Sequence, residues 1–568
     1  MGNTIMTPEE GIAGKYISTA KDENGVLSAI EFHNDEHFNF AYDVVDVLGR
    51  TKPDKLAMLH VSREGKERRI TFKDMMVYSN QVANYFRFLG IKRGDRVMLV
   101  LKRHYQFWFA ILALHKIGAV AIPATNLLMK KDFEYRLKAA KVDAVVCTAD
   151  GKVGIELEKA SRNYDGLKAK IMVGAPVLKG WRNFNRDVRY FTSDFKKPAN
   201  CAGGDDPMLM FFTSGTTSYP KIAEHTYKYA LGHYVTAKYW QQVDPEGIHF
   251  TISDTGWGKA LWGKLYGQWL AEAAVFTYDF DDFKANEIME MLEKYKITTF
   301  CAPPTVYRVL VRMNLGKYDL SNLQTAATAG EALNPKVYEK FLQQTGLKIM
   351  EGFGQTETTL TVGNLAGMTP RPGSMGKPSP QYKVDIMLSD GTMADVGDTG
   401  EVVISVKDGY PAGLFLGYYL DEKKTENVIY DGYYHTGDTA YKDNDGYLWY
   451  VGRVDDVIKS SGYRVGPFEI ENEIMKLPYV VECAVTAVPD LLRGQGIKAS
   501  VVLADGVEPD DSLKNQMMKF FKSNLASYKR PKTIEFVKEL PKTVSGKIRR
   551  VEIKEKDWSK TTEDSSGK

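Results

Sequence analysis

MLMFFTSGTTSYPK, residues 208–221, sets an apolar run of strand character directly before small residues, hydroxyls and a lysine. Small residues let backbone N–H groups approach a polyphosphate, hydroxyls add donors, and Lys221 adds a point charge where negative charge develops. Thr213, Ser214, Gly215, Thr216, Thr217, Ser218 and Lys221 therefore read as a phosphate cradle on an α/β scaffold. The spacing is not that of a GxxxxGK[ST] loop, and on its own the stretch is also readable as a polar turn after a strand.

The sequence around it supports the scaffold. Apolar residues at helical spacing run from Thr71 to Leu89, and strand-like RVMLVL follows at 96–101. A helix at 106–117, strands at 119–122 and 143–147, a helix at 287–297 and a strand at 298–304 continue the alternation, which predicts layered α/β sheets. After Tyr382 short strands between Gly and Asp turns predict a β-rich subdomain. From Asp455 the pattern becomes α+β, with helices at 467–476 and 512–523 and strands at 481–489 and 498–503. The expected division is 1–454 for a large N-terminal domain and 455–568 for a small C-terminal one, with TTEDSSGK at the end expected to be disordered.

Composition excludes some classes. With 568 residues, 43% hydrophobic and 26% charged, the chain reads as a multi-unit globular protein. A net charge of +3 makes no global case for nucleic acid or an anionic membrane. The most apolar early run, 107–114, is far short of the ~20 residues of a transmembrane helix. Cys147, Cys201, Cys301 and Cys483 are too scattered for a disulfide framework or a zinc site. These features, with an N-terminus unlike a signal peptide, predict a cytoplasmic protein. A homodimer is compatible with the sequence.

Further segments carry chemistry. In EGFGQTET (351–358), an aromatic beside glycines can stack a purine while Thr356 and Glu357 hold magnesium against phosphate oxygens. In YHTGD (434–438), Asp438 can accept ribose hydroxyls; GRVDD (452–456) follows. Each alone is also readable as an ordinary polar turn.

In order, TSGTTSYPK, AGEAL (329–333), GFGQTE, YHTGD, GRVDDVIKSSGYRVGPFEIE (452–471) and TVSGKIRR (543–550) resemble the superfamily of acyl- and aryl-CoA synthetases, nonribosomal adenylation domains and firefly luciferase. DTGWGKALWGKLYGQW, FCAPPTVYR and TPRPGSMGKPSP make medium-chain acyl-CoA synthetases the nearest resemblance. It implies a large N-terminal domain with a β-rich subdomain and a mobile C-terminal domain, AMP-forming chemistry on a short-to-medium or branched acid, and ATP, CoA and Mg2+ as the small molecules required.

Residue by residue, the resemblance implies that the loop ending at Lys221 encloses the β- and γ-phosphates. Gly330, Glu331 and Ala332, with Glu351, Gly352, Phe353, Gly354 and Gln355, hold the adenylate; Thr356 lies near the α-phosphate and Glu357 on Mg2+. Asp438 and Arg453 bind ribose, and Lys547 is the adenylation lysine. Asp455 is the implied hinge. Ser461, Gly462, Tyr463 and Arg464 line the pantetheine path, and Arg464, Arg493 and Arg530 are candidates for CoA phosphates. Acetyl-CoA synthetases close their pocket with a tryptophan at the position of Gly354, so a longer acid is implied here, lined by Trp257, Gly258, Trp262, Cys301 and Ala302. Ser218 and Phe353 depart from the family's usual Gly and Tyr, and neither removes a charge. The competing readings are a carrier-dependent adenylation domain or luciferase-like oxidation within the class, and outside it an ATP-hydrolysing kinase or motor or a non-catalytic nucleotide sensor.

Overall fold

The helices begin and end where local chemistry dictates. Phe72–Phe88 starts at Thr71, whose hydroxyl accepts the Asp74 N–H at 3.1 Å while the Asp74 carboxylate accepts the Thr71 N–H at 2.9 Å. These reciprocal bonds satisfy donors that the first turn leaves open. Gln106–Ile117 stops at Gly118, whose φ of 82° is the left-handed conformation a side chain resists. The computed structural model describes residues 5–213, 220–460, 463–490, 494–543 and 547–565.

The chain forms two compact units. The first comprises Met1–Thr213, Lys221–Lys383 and Val406–Asn427. An eight-stranded sheet in it runs in spatial order 182–183, 169–173, 144–148, 96–100, 120–123, 207–212, 222–226 and 417–418. A nine-stranded sheet runs 377–378, 362–363, 349–353, 325–329, 299–301, 248–251, 274–278, 56–61 and 67–71. The six strands from 349–353 through 56–61 in the second sheet are parallel, and from Ile248–Thr251 the chain proceeds to Ala274–Tyr278 on one side and Thr299–Cys301 on the other. That divergence is a topological switch point, and the crevice beyond the carboxyl ends of such strands is where open α/β sheets bind ligands. The mixed α/β class expected from the sequence is the class observed.

The second unit includes Val384–Ser405 and Val428–Lys568. One five-stranded sheet contains Val384–Met387, Thr399–Ser405, Ile429–Tyr430, Tyr433–Lys442 and Leu448–Arg453; another contains Ile458–Ser460, Tyr463–Val465, Val480–Asp490, Gly494–Leu503 and Thr533–Phe536. By compactness the β-rich sheet groups with residues 455–568.

Two features depart from the sequence expectations. Thr7–Pro8, Ile17–Lys21 and Leu27–Phe32 form a three-stranded antiparallel sheet that no periodicity announced. The terminal helix Arg550–Ser565 continues through the first five residues of the stretch expected to be disordered. A helix already nucleated upstream adds one hydrogen bond per further residue, so a polar end can follow it. None of the four cysteines is in a disulfide. Among the described residues, no helix is long and apolar enough to cross a membrane.

Candidate active site

The stretch from Met208 is the start of a hairpin. Phe212 pairs antiparallel with Ile222, and the Thr213 N–H donates to the Lys221 carbonyl at 2.9 Å, so both ends of the intervening loop are fixed. Ser214, Gly215, Thr216, Thr217 and Ser218 lie outside the described residues. The Lys221 Nζ stands 4.5 Å from the Tyr418 ring centroid. Tyr418 sits on Gly417–Tyr418, which pairs with Ala223 and Glu224, and its hydroxyl donates to Glu357 Oε1 at 2.9 Å. The Phe415 N–H donates to the Glu357 carbonyl at 2.8 Å. Tyr418 thus links the loop lysine to the proposed magnesium carboxylate, and no motif had singled it out. Its only signal was an aromatic within an otherwise ordinary GYY.

The adenylate segments also converge. Thr325–Ala329 and Ile349–Phe353 are parallel neighbours, with Ala329 opposite Gly352, so Gly330, Glu331 and Ala332 emerge beside Glu351, Gly352 and Phe353. Gly330 turns with φ of 106°, a conformation open to glycine. Glu331 pairs with Arg308 at 3.0 Å. Buried Glu351 accepts the Leu333 N–H at 2.9 Å. Burial pushes its carboxyl up to about 8, against the opposing effect of that N–H. Thr356 is held through its carbonyl, which accepts from His225 Nε2 at 2.8 Å, and the Gln355 N–H donates to the Thr358 hydroxyl at 2.9 Å.

The proposed acyl lining follows the switch point. Cys301 closes one strand and Ala302 follows it, both buried; Trp257 and Gly258 begin the short helix Gly258–Lys264 after another. A Cβ built on Gly354 would lie 2.4 Å from Trp262 Cη2 and 2.4 Å from the Thr359 carbonyl oxygen. The space a side chain at 354 would need is therefore held by an indole from a different element. The Lys259 Nζ, on the same helix, donates to the Ala329 carbonyl at 2.8 Å.

In the second unit Asp438 and Arg453 are strand neighbours. Arg453 Nη1 lies 3.1 Å from Asp438 Oδ2 and donates to the Thr436 carbonyl at 2.9 Å, while the Tyr450 hydroxyl donates to Asp438 Oδ1 at 3.2 Å. The Asp455 carbonyl accepts from Lys554 Nζ at 2.9 Å, and Asp456 Oδ1 pairs with the same ammonium at 2.8 Å. Lys547 is exposed, its N–H donating to the Thr543 hydroxyl at 3.1 Å. Arg530 spends its guanidinium on the Leu525 and Lys522 carbonyls, at 2.8 and 2.9 Å, at the end of helix Asp511–Asn524. Ser461, Gly462 and Arg493 lie outside the described residues; Tyr463 and Arg464 form part of a strand.

The donors suit magnesium. Glu357 and the Thr356 hydroxyl offer hard oxygens, and Mg2+ is typically held by one or two carboxylates plus substrate phosphates. Among the described residues there is no cluster of three or more His, Cys, Asp or Glu able to cage a metal.

Two compact α/β units, a parallel sheet with a switch point and a hairpin fixed at Thr213 and Lys221 are the frame of an adenylate-forming enzyme. The chain belongs to the AMP-binding enzyme family, which it matches over residues 46–419, with the C-terminal domain of AMP-binding enzymes matched over 469–547. It is 38% identical over 532 residues to human acyl-coenzyme A synthetase ACSM3, mitochondrial, covering 92% of this chain and 90% of that protein. Identity to human ACSM4 is 37% over 534 residues, covering 92% and 91%. Among solved structures, the anthranilate CoA ligase AuaEII in complex with anthranoyl-AMP superposes with a TM-score of 0.82 at 27% identity, covering 91% of this chain and 97% of that one. The Brucella canis acyl-CoA synthetase gives 0.70 at 28%, covering 93% and 95%.

Proposed function

We infer that the protein is an AMP-forming acyl-CoA synthetase acting on medium-chain acids. The carboxylate attacks the α-phosphate of ATP to give acyl-AMP and pyrophosphate, and the CoA thiol then displaces AMP. The observation that carries this reading is the Lys221–Tyr418–Glu357 constellation beside the Gly330 and Glu351 segments, which supplies phosphate and nucleotide contacts on rigid strand ends. Bringing two anions together requires neutralisation, so Lys221 steadies the departing pyrophosphate and Lys547 acts at the α-phosphate. Bound Mg2+, held by Glu357, would neutralise phosphate charge. No covalent enzyme nucleophile is needed.

We further propose that Asp455 is the hinge of a mobile segment, residues 455–568, which exchanges Lys547 for the 461–464 stretch between the half-reactions. Arg464 and Arg493 then remain the CoA-phosphate candidates, and Arg530 is the weakest because helix-end carbonyls already occupy it. A short-to-medium or branched acid suits a lining of Trp257, Trp262, Cys301 and Ala302. We propose a reducing compartment such as the cytoplasm, which suits four cysteines scattered along the sequence. The test is product analysis: acid-dependent pyrophosphate release, with sustained turnover to AMP and pyrophosphate once CoA is added, supports the reading. ADP would make it a kinase, and nucleotide binding without turnover a sensor.

A further inference from the structure

We propose that Gln268 is a positioning residue that sets acyl-chain selectivity by fixing Trp262 against Gly354; this rests on the acyl-CoA synthetase reading. The helix that carries Trp262, Gly258–Lys264, has only seven residues and breaks at Leu265, where φ is −153° and ψ is −84°. The chain restarts as Tyr266–Leu270. A helix so short leaves its last carbonyls without intrahelical donors, and here the break is buried, so water does not supply them.

Gln268 fills that deficit from one turn onward. Its Nε2 donates to the Trp262 carbonyl at 2.9 Å and to Gln241 Oε1 at 2.6 Å, while its Oε1 accepts the Leu265 N–H at 3.2 Å. Both glutamines are buried. Flanking bonds anchor the same break: Trp108 Nε1 donates to the Lys264 carbonyl at 2.7 Å, and Lys264 Nζ donates to the Ser253 carbonyl at 2.9 Å. Gln268 alone among these binds the backbone of Trp262 itself and of the residue where the helix breaks.

The consequence reaches the pocket through one side chain. Trp262 Cη2 occupies the position beside Gly354 where a Cβ would come within 2.4 Å, and its indole meets Trp240 edge-on at a centroid distance of 6.4 Å. Without Gln268 the Trp262 carbonyl, the Leu265 N–H and the Gln241 carbonyl oxygen lose their partners together. The break then rearranges to recover them, and the indole moves with its backbone. Space beside Gly354 opens, which favours longer acids over shorter ones.

The experiment compares kcat/KM for propionate, butyrate, hexanoate and octanoate in the wild type, Gln268→Leu, Trp262→Ala and the double variant. The expected result is a rise of about tenfold in the octanoate-to-propionate ratio for Gln268→Leu, with the KM for ATP within about twofold of wild type. In the double variant the acid profile should match that of Trp262→Ala alone, because the effect passes through the indole. An equal loss for every acid, or the same ratio change on top of Trp262→Ala, would overturn the proposal. Should the leucine variant not fold, Gln268→Met, which also lacks donors and is similar in length, is read by the same criteria. A wild-type protein without acid-dependent pyrophosphate release overturns the functional reading as well; the other failures overturn this inference alone.

Discussion

Replacing Glu351 by glutamine should remove a pH dependence of stability whose size follows from the carboxyl's burial. Its folded-state value is pushed up to about 8 from 4.5 by burial, with the Leu333 N–H pulling the other way. Between those values the folded chain binds a proton that the unfolded chain has released. Stability contributed here is thus lost as pH rises through this window, the reverse of a salt-bridged carboxylate. Integrating from pH 5.5 to 7.5 gives a loss of about 2–3 kcal/mol from this one group. The amide of Glu351→Gln would keep an oxygen to accept the Leu333 N–H, bound at 2.9 Å in the wild type, and has no proton to lose, so its effect reduces to a pH-independent offset. Paired urea unfolding of wild type and Glu351→Gln at both pH values, followed through the first unit, reads the difference. Parallel pH dependences of the two proteins would refute the argument and mean that the carboxylate is solvated or paired.

Lys547→Ala should slow acid-dependent pyrophosphate release by about 10²–10³-fold, the usual scale for losing one preorganised charge at a transition state, while leaving ATP binding measurable by calorimetry. Asp455→Pro should impair thioester formation far more than acyl-AMP formation in single-turnover assays; equal loss in both would count against the hinge. Tyr418→Phe withdraws the donor to Glu357 and should raise the Mg2+ concentration for half-maximal pyrophosphate release about fivefold, as expected for one hydrogen bond; an unchanged Mg2+ curve would remove Tyr418 from the site. Gly354→Trp should lower kcat/KM for every acid rather than give an acetate-selective enzyme, because its Cβ would meet both the Trp262 indole and the Thr359 carbonyl oxygen at 2.4 Å; a clean acetate switch in this variant would contradict that packing.

The contrast between Gly354 and Glu357 shows what the sequence could carry. Strand–helix alternation, the phosphate loop and the adenine segments are local patterns, and each acquires its place because parallel strands deliver their carboxyl ends to one edge. Thus Gly330 and Glu351 could be paired from motifs, and the register Ala329 opposite Gly352 realises that pairing. Tyr418 could not be found this way. Its role depends on a two-residue strand joining Ala223 across nearly two hundred positions, and so short a pairing leaves no periodic trace.

Pocket depth is harder still, because it is a property of space shared by several elements. From sequence, a glycine at 354 means an absent wall. In three dimensions the wall is present but belongs to Trp262, and its position is set by a buried amide four residues beyond a broken helix. A glycine reports room only relative to what its neighbours leave, and here a neighbour has taken that room. Selectivity for the acid should therefore respond to substitutions at Gln268 and Trp262 at least as strongly as to substitutions at Gly354. Comparing acid preference among relatives by the residue at that position alone omits the group that fills the space.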